Sequence, residues 1–451
     1  MKPSLTVLTV LLLATLAGDA ARSATYRDDI KGDGVHDDTA GIQSLLDSGQ
    51  AAVYLPPPPK EYLISRTLRI RSGQALRLDP FTVIRLAPGS DTVMITNDDH
   101  DAGNENIAII GGIWDMDNRS QSPNPFPALG KAGLTTPYDP ARFIGVLMRF
   151  NRVRNLTLQG LTLRDPTTFG AQLGNLYQFT VRDITFDYRH ANPAEINMDG
   201  IHIHGNSRYG SIANLKGMTH DDLLALNADD GLVVEMSRGP IEDIAVDGLF
   251  AEDGWTAVRM LSAGSPIRRV SIRNIVGTYR YNVISFSDYG LHPGEPSLFE
   301  DITLRDIRCA KSRRGLEGNP PAGPIWHGCA PVYLWGKATV RNLTIDGYSR
   351  SEERQACDDI HIEPEVSVDG LTLRDFRVVN RTPGPIVLLR NRGTIRNLTL
   401  DGISQIAEGP PARGGLVENS GAIDAVHRSN TVQRNLAGEI DGIPPPPGKS
   451  D

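Results

Sequence analysis

The chain has 451 residues, 39% hydrophobic and 22% charged, which is long enough for two or three average domains or one extended repeat array. A formal net charge of −8, with no dense Lys/Arg run, argues against a nucleic-acid partner. The same balance offers no long-range attraction to a polyanion, so an acidic substrate would have to meet local basic residues.

Residues 1–20 read as a signal peptide. Lys2 gives the positive end, Leu5 to Leu16 forms an apolar run too short to span a bilayer, and Gly18 and Ala20 suit cleavage after Ala20. The expectation is a secreted or periplasmic protein with no membrane partner; an uncleaved anchor is the alternative. Next, Asp37-Asp38-Thr39 offers acidic N-caps for a short amphipathic helix through Leu46. That helix is placed to close one end of a strand array. Val53 to Pro56 and Tyr62 to Ser65 read as the first strands.

From about residue 105 one phrase recurs: a polar residue, alternating apolar residues, then Asp, Gly or Asn. Examples start at Asn106, Asn155, Phe179, Ser211, Asp243, Arg269, Asp301, Asn342, Gly370 and Asn397. The alternation has period two, so these are strands, and their irregular recurrence over roughly twenty to thirty-odd residues marks a solenoid. A β-sandwich would put Asn-Gly or Asp-Gly turns between equal arms. Here such pairs lie inside the repeat, where a coil bends. The expected fold is all-β: a single-stranded right-handed parallel β-helix over residues 21–425 with a short N-terminal capping helix. Leu156, Leu158, Ile244, Val246, Leu343 and Ile345 would face its core. From about Asp424 the repeat fades, and residues 426–451, with Pro444 to Pro447, read as a partly disordered tail.

Three carboxylates concentrate the chemistry. Asp199 precedes the run Ile201-His202-Ile203, Asp221-Asp222 precede Leu223 to Leu226, and Asp199 and Asp222 are 23 residues apart, about one solenoid turn. Stacked carboxylates repel, so at least one should hold a proton near neutrality, as acid–base cleavage of a sugar linkage needs. An inverting arrangement requires acid and base roughly 6.5–9.5 Å apart, which adjacent coils at about 4.8 Å would supply only with a sideways offset. Turn chemistry is the plainer alternative for Asp at such bends.

On the Ile201/Ile203 alternation His202 and His204 face outward, and with His220 they would bind hydroxyls or tune the acids. Asn197 and Asn227 flank the cluster. Trp255, Tyr279, Tyr281 and Tyr289 are candidate sugar-stacking rings, and Arg259 and Arg280 are the local cations for an acidic sugar. Asp229 and Asp230 could join Asp221 and Asp222 around calcium, though a turn explains them more simply, so no cofactor and no metal are expected. Of Cys309, Cys329 and Cys357, the first two could bridge the loop between them.

The opening Lys31-Gly32-Asp33-Gly34-Val35-His36-Asp37-Asp38-Thr39 resembles the N-terminal signature of pectate-lyase-like β-helix proteins. Asn197-Met198-Asp199, then Asp221-Asp222-Leu223-Leu224-Ala225-Leu226-Asn227, is similar to glycoside hydrolase family 28, the polygalacturonases, which carry Asn-Thr-Asp and Asp-Asp-Cys-x-Ala-x-Asn about one coil apart. The resemblance implies an inverting hydrolase in which Asp221 is the general acid and Asp199 and Asp222 activate water. Two further family motifs are absent. Asp253-Gly254-Trp255 stands where Gly-His-Gly is expected, and Ser285 and Ser287 replace the Arg and Lys that hold the uronate carboxylate. Arg259 could restore one of those charges. The substrate reading is a pectin-like or other, possibly uronate-containing, polysaccharide. A lyase or uronate epimerase, and a glycan-binding adhesin, are the rival readings; oligomeric state is not legible.

Overall fold

The computed structural model describes residues 29–125, 143–191, 197–229, 238–290, 294–295, 297–313, 330–408 and 414–435. The coil is made by parallel pairing of each turn with the next. Short strands such as Ala171–Gly174, Ile201–His204, Asp222–Ala228 and Thr256–Ser262 stack into a 12-stranded sheet running from Leu68–Ile70 to Gly415–Asn419. Longer bent strands, Tyr177–Asp187 and Ala338–Glu352 among them, form the 19-stranded sheet that wraps the rest of each turn. This is the parallel β-helix that the repeat implies, with Leu156, Leu158, Ile244, Val246, Leu343 and Ile345 in its core.

The bends have a chemical cause. Asn106 (φ 57°), Asn155 (φ 60°), Asp243 (φ 57°), Asp301 (φ 54°) and Asn342 (φ 56°) all take left-handed backbone, which Asn and Asp tolerate better than other L-residues. They also ladder: Asn155 Nδ2 donates to Asn106 at 2.8 Å, and Asn342 Nδ2 to Asp301 at 2.8 Å. A second bend repeats the device where Asn214 Nδ2 donates to Asp183.

At the N-terminal end the helix Thr39–Asp47 buries Ile42 and Leu46. Asp38 occupies its N-cap position but makes no side-chain cap. Its carboxylate accepts instead from the backbone N–H groups of Lys31 (2.6 Å), Gly32 and Leu63 (both 3.2 Å), tying the incoming chain to the strand Glu61–Ile64. The coil begins with the strands expected at Val53 and Tyr62, since Ala52–Leu55 pairs with Ala75–Leu78 and Glu61–Ile64 with Val83–Leu86. It ends later: Ala422–Ser429 and Val432–Arg434 both pair with Thr394–Ala407, past the boundary expected at residue 425. The signal-peptide residues 1–20 and the Pro444–Pro447 tail lie outside the described residues. Cys309 is a free, buried thiol with Sγ 3.5 Å from the Tyr348 hydroxyl, not half of a bridge; Cys329 lies outside the described residues. No helix among the described residues is long and apolar enough to cross a membrane.

Replacing Asn155 by Ala should cost about 1–3 kcal/mol, combining the left-handed backbone penalty with a lost ladder hydrogen bond. A lowered urea midpoint for Asn155→Ala, against an unchanged one for a nearby exposed substitution, checks it.

Candidate active site

Register alone brings the acids together. Ile201 pairs with Leu224, so Asp199 and Asp222 hold equivalent places on successive turns, and Gly200 N–H donates to the Asp222 carbonyl at 2.8 Å. One oxygen from each of Asp199, Asp221 and Asp222 falls within 4.8 Å of the others. The three side chains therefore share one pole, on the outer face of the 12-stranded sheet.

That pole is less open than the sequence suggests. Asp199 is fully buried and Asp222 is 3% exposed, while Asp221 alone is half-buried. The reason lies in the neighbouring turns. Phe169 occupies the place of Asp199 one turn earlier and stacks on the His202 ring at 4.1 Å. Arg259 comes from the turn after Asp222 and lays its Nε 2.6 Å from the Asp222 carboxylate and its Nη2 3.8 Å from Asp199. Between His202 and Arg259 in the same column stands Ala225, whose small side chain leaves room for both.

His202 is buried, not facing solvent. Its Nδ1 lies 2.5 Å from Asp199 and its Nε2 2.9 Å from the Asn227 amide. With the amide oxygen of Asn227 turned inward, that residue accepts from both His202 Nε2 and Arg259 Nη2, the latter at 3.1 Å. Asn227 thus joins the imidazole and the guanidinium that face the acids. His204 is also buried, with Nε2 3.0 Å from the Gln172 amide, which in turn accepts from Arg149 at 2.9 Å. It belongs to a polar layer behind His202. Asn197 contributes its backbone N–H, 3.0 Å from the Asp221 carboxylate, on a left-handed residue (φ 56°).

The remaining candidates are dispersed. Trp255 and Tyr281 pair at 5.7 Å and are half-buried, as is His220. Arg280 is buried with Nη2 3.7 Å from the Met218 sulfur. The Asp229 carboxylate staples a loop, accepting from the backbone of Gly239 and Ser265; Asp230 lies outside the described residues. Phe169 and Trp335 escaped the sequence reading as site residues. Phe169 sits in an unremarkable Thr-Thr-Phe-Gly stretch, where only its register with Asp199 gives it meaning. Tyr289, whose hydroxyl accepts from Arg259 at 2.9 Å, and Trp335, 5.0 Å from the Tyr289 ring, come from separate turns.

The electrostatics raise two of the three carboxyls, Asp221 and Asp222. Burial first, then the Asp199 charge, pushes the Asp221 carboxyl up to about 7, against the pull of Arg259. Burial also drives Asp222 upward, with the Arg259 guanidinium opposing it. On spacing the three oxygens would suit a divalent cation, but Arg259 already supplies the balancing charge at Asp222.

No protein-family model matches the chain. It is 28% identical over 162 residues to an Arabidopsis thaliana exopolygalacturonase, an alignment covering 36% of this chain and only about a third (34%) of that relative's length. Among solved structures, the Azotobacter vinelandii mannuronan C-5 epimerase AlgE6 A-module superposes with a TM-score of 0.54 at 12% identity, covering 89% of this chain and 96% of that one. A Yersinia enterocolitica family 28 exopolygalacturonase gives 0.50 at 15% identity, over 87% and 76%.

A carboxyl raised to about 7 favours the folded state below its unfolded pKa of 3.8, and that contribution is lost as pH rises through 7. Asp221→Asn should therefore raise the melting temperature at pH 8 and leave it nearly unchanged below pH 4. The gain at pH 8 is at most about 4 kcal/mol, an upper bound because the side chain is partly exposed. Thermal melts at both pH values check it. The chain is thus similar in sequence, over part of its length, to an exopolygalacturonase, and shares its fold with parallel β-helix proteins that include the epimerase module and the family 28 enzyme.

Proposed function

We propose that this protein is a glycoside hydrolase acting on a pectin-like polysaccharide outside the cytoplasm. The observation that carries the reading is a half-buried carboxyl, Asp221, raised to about 7 beside two buried carboxyl groups. A neutral acid at the accessible corner of such a cluster can protonate a departing glycosidic oxygen.

Asp199 and Asp222 are the water-activating pair. Arg259 pairs with Asp222 and opposes the upward push that burial gives its carboxyl, and His202 is hydrogen-bonded to Asp199, so both side chains are held in place. Asp199 Oδ1 is buried without a hydrogen bond among the described residues, an acceptor that a water would satisfy. His202, Asn227 and Arg259 are positioning residues. Tyr289 and Trp335 extend the face beyond Arg259 as surfaces for sugar rings.

The sideways offset that inversion was expected to need is not seen, since the nearest oxygens lie within 4.8 Å. That is tighter than the roughly 6.5–9.5 Å of an acid and base with water between them. The water then approaches from the flank of the Asp199–Asp222 pair, and the anomer released first becomes the deciding measurement. Single displacement predicts inversion by NMR of the nascent product; retention would make one of those aspartates a nucleophile.

A screen of pectins, alginate, bacterial exopolysaccharides and neutral glycans, read in parallel for reducing ends and for the ultraviolet absorbance of unsaturated products, tests the reaction class. New reducing ends without absorbance are expected; absorbance would mean elimination, and neither signal would leave a binding protein. On the substrate found, Asp221→Ala should lower kcat about 10²–10⁴-fold. The wild-type rate should fall as pH rises through about 7, because the acid must stay protonated. Arg259→Met removes the charge that lowers the Asp221 pKa, so that descending limb should move to higher pH.

A further inference from the structure

The outer face carries the motif of the acid cluster twice. Asp199-Gly200-Ile201-His202-Ile203 recurs as Asp358-Asp359-Ile360-His361-Ile362. Pairing carries the register from Ile201 through Leu224, Val258, Ile284 and Val332 to Ile360, so both motifs occupy the same columns. An arginine follows each: Arg259 two turns after His202, and Arg390 directly paired with His361 on the next turn.

Around the second motif lies a cavity of about 630 Å³, lined in part by Asp358, His361, Arg390, Arg392, Glu418 and Ser420. His361 is 2% exposed, and neither ring nitrogen makes a hydrogen bond, although Asp358 and Glu363 carboxylates stand 3.7 and 3.4 Å away. Tyr333 packs edge-on against its ring at 5.7 Å. Arg390 is already balanced, with Nε 2.5 Å from Asp358 and Nη1 bonded to Glu418. Arg392 lies 3.4 Å from Glu363. The chemistry differs from the first site in one respect. The turn after Asp358 brings Ile386 and Val387 where the turn after Asp199 brings Asp221 and Asp222, so the second site lacks the counterparts of those two acids.

We infer that this cavity binds an uncharged sugar ring of a glycan and does not cleave it. Burial pushes His361 down, keeping the imidazole neutral with one donor and one acceptor nitrogen. A sugar hydroxyl is both donor and acceptor and completes both. The Asp358 and Glu418 carboxylates accept from further hydroxyls. A uronate would meet those two carboxylates with no unbalanced cation to receive it. Four turns separate Asp222 from Asp358, about 19 Å along the coil, a span that a polysaccharide of several units can bridge. The inference rests on the reading of this face as glycan-binding, not on cleavage.

The test uses the full-length Asp221→Asn protein, so binding is read without turnover and stands apart from any failure of hydrolysis. Methyl glycosides of galactose, glucose, xylose, arabinose and rhamnose are compared with methyl galacturonoside by saturation-transfer NMR and calorimetry. At least one neutral glycoside should bind saturably and more tightly than the galacturonoside. Ser420→Trp, a substitution at the exposed rim that fills the cavity without touching the core, should weaken it about tenfold or more, and His361→Ala likewise. The inference is overturned if no neutral glycoside saturates, if galacturonoside is preferred, or if Ser420→Trp, still folded by circular dichroism, binds as before.

Discussion

Parallel hydrogen bonding between successive turns is the constraint on which everything else depends. Once Ile201 is opposite Leu224 and Leu224 opposite Val258, every side chain one turn along is fixed in its column, whatever the intervening chain does. Residues far apart in sequence become neighbours at about 4.8 Å, and like chemistry accumulates in lines. Phe169, Asp199, Asp222 and Thr256 form one such line, and His202, Ala225, Arg259 and Ser285 another. Asp199 and Asp222 come from the first column, His202 and Arg259 from the second, and Asp221 from the position just before Asp222.

Placing three carboxylates so close together is unfavourable for folding, and the surrounding residues show how the cost is contained. Arg259 and His202 each take one buried aspartate, Asn227 joins the two of them, and the Asn197 N–H supports the third. What is not neutralised stays on Asp221 and Asp222 as an elevated affinity for a proton. A fully compensated cluster would be more stable and chemically inert. The site is thus a place where local rules are broken in a consistent direction.

Much of this was legible in the sequence because strand alternation and the Asn/Asp bends are local signals. Asp199, Asp221 and Asp222 could be stacked from their spacing alone, and Arg259 could be named as the nearby cation. What could not be read was depth. Alternation says that His202 and Asp199 leave the core, but not that Phe169 and Arg259, from the turns on either side, then cover them. Arg280 and Arg259 look equivalent in the sequence, yet one reaches the acids and the other lies against Met218. Asp38 was misassigned because a buried carboxylate beside three unpaired N–H groups serves them before it serves its own helix.

The indifference of pairing to what lies between the rungs has an evolutionary consequence. Ile201 meets Leu224 after a short excursion and Ile284 meets Val332 after a much longer one, yet each advances the coil by a single turn. Insertions at such junctions can lengthen, shrink or diversify without disturbing the stack beneath. Specificity on this scaffold can therefore drift by small edits to the connecting segments while the reactive centre is inherited intact, which gives one framework a ready means of sampling many different polymers.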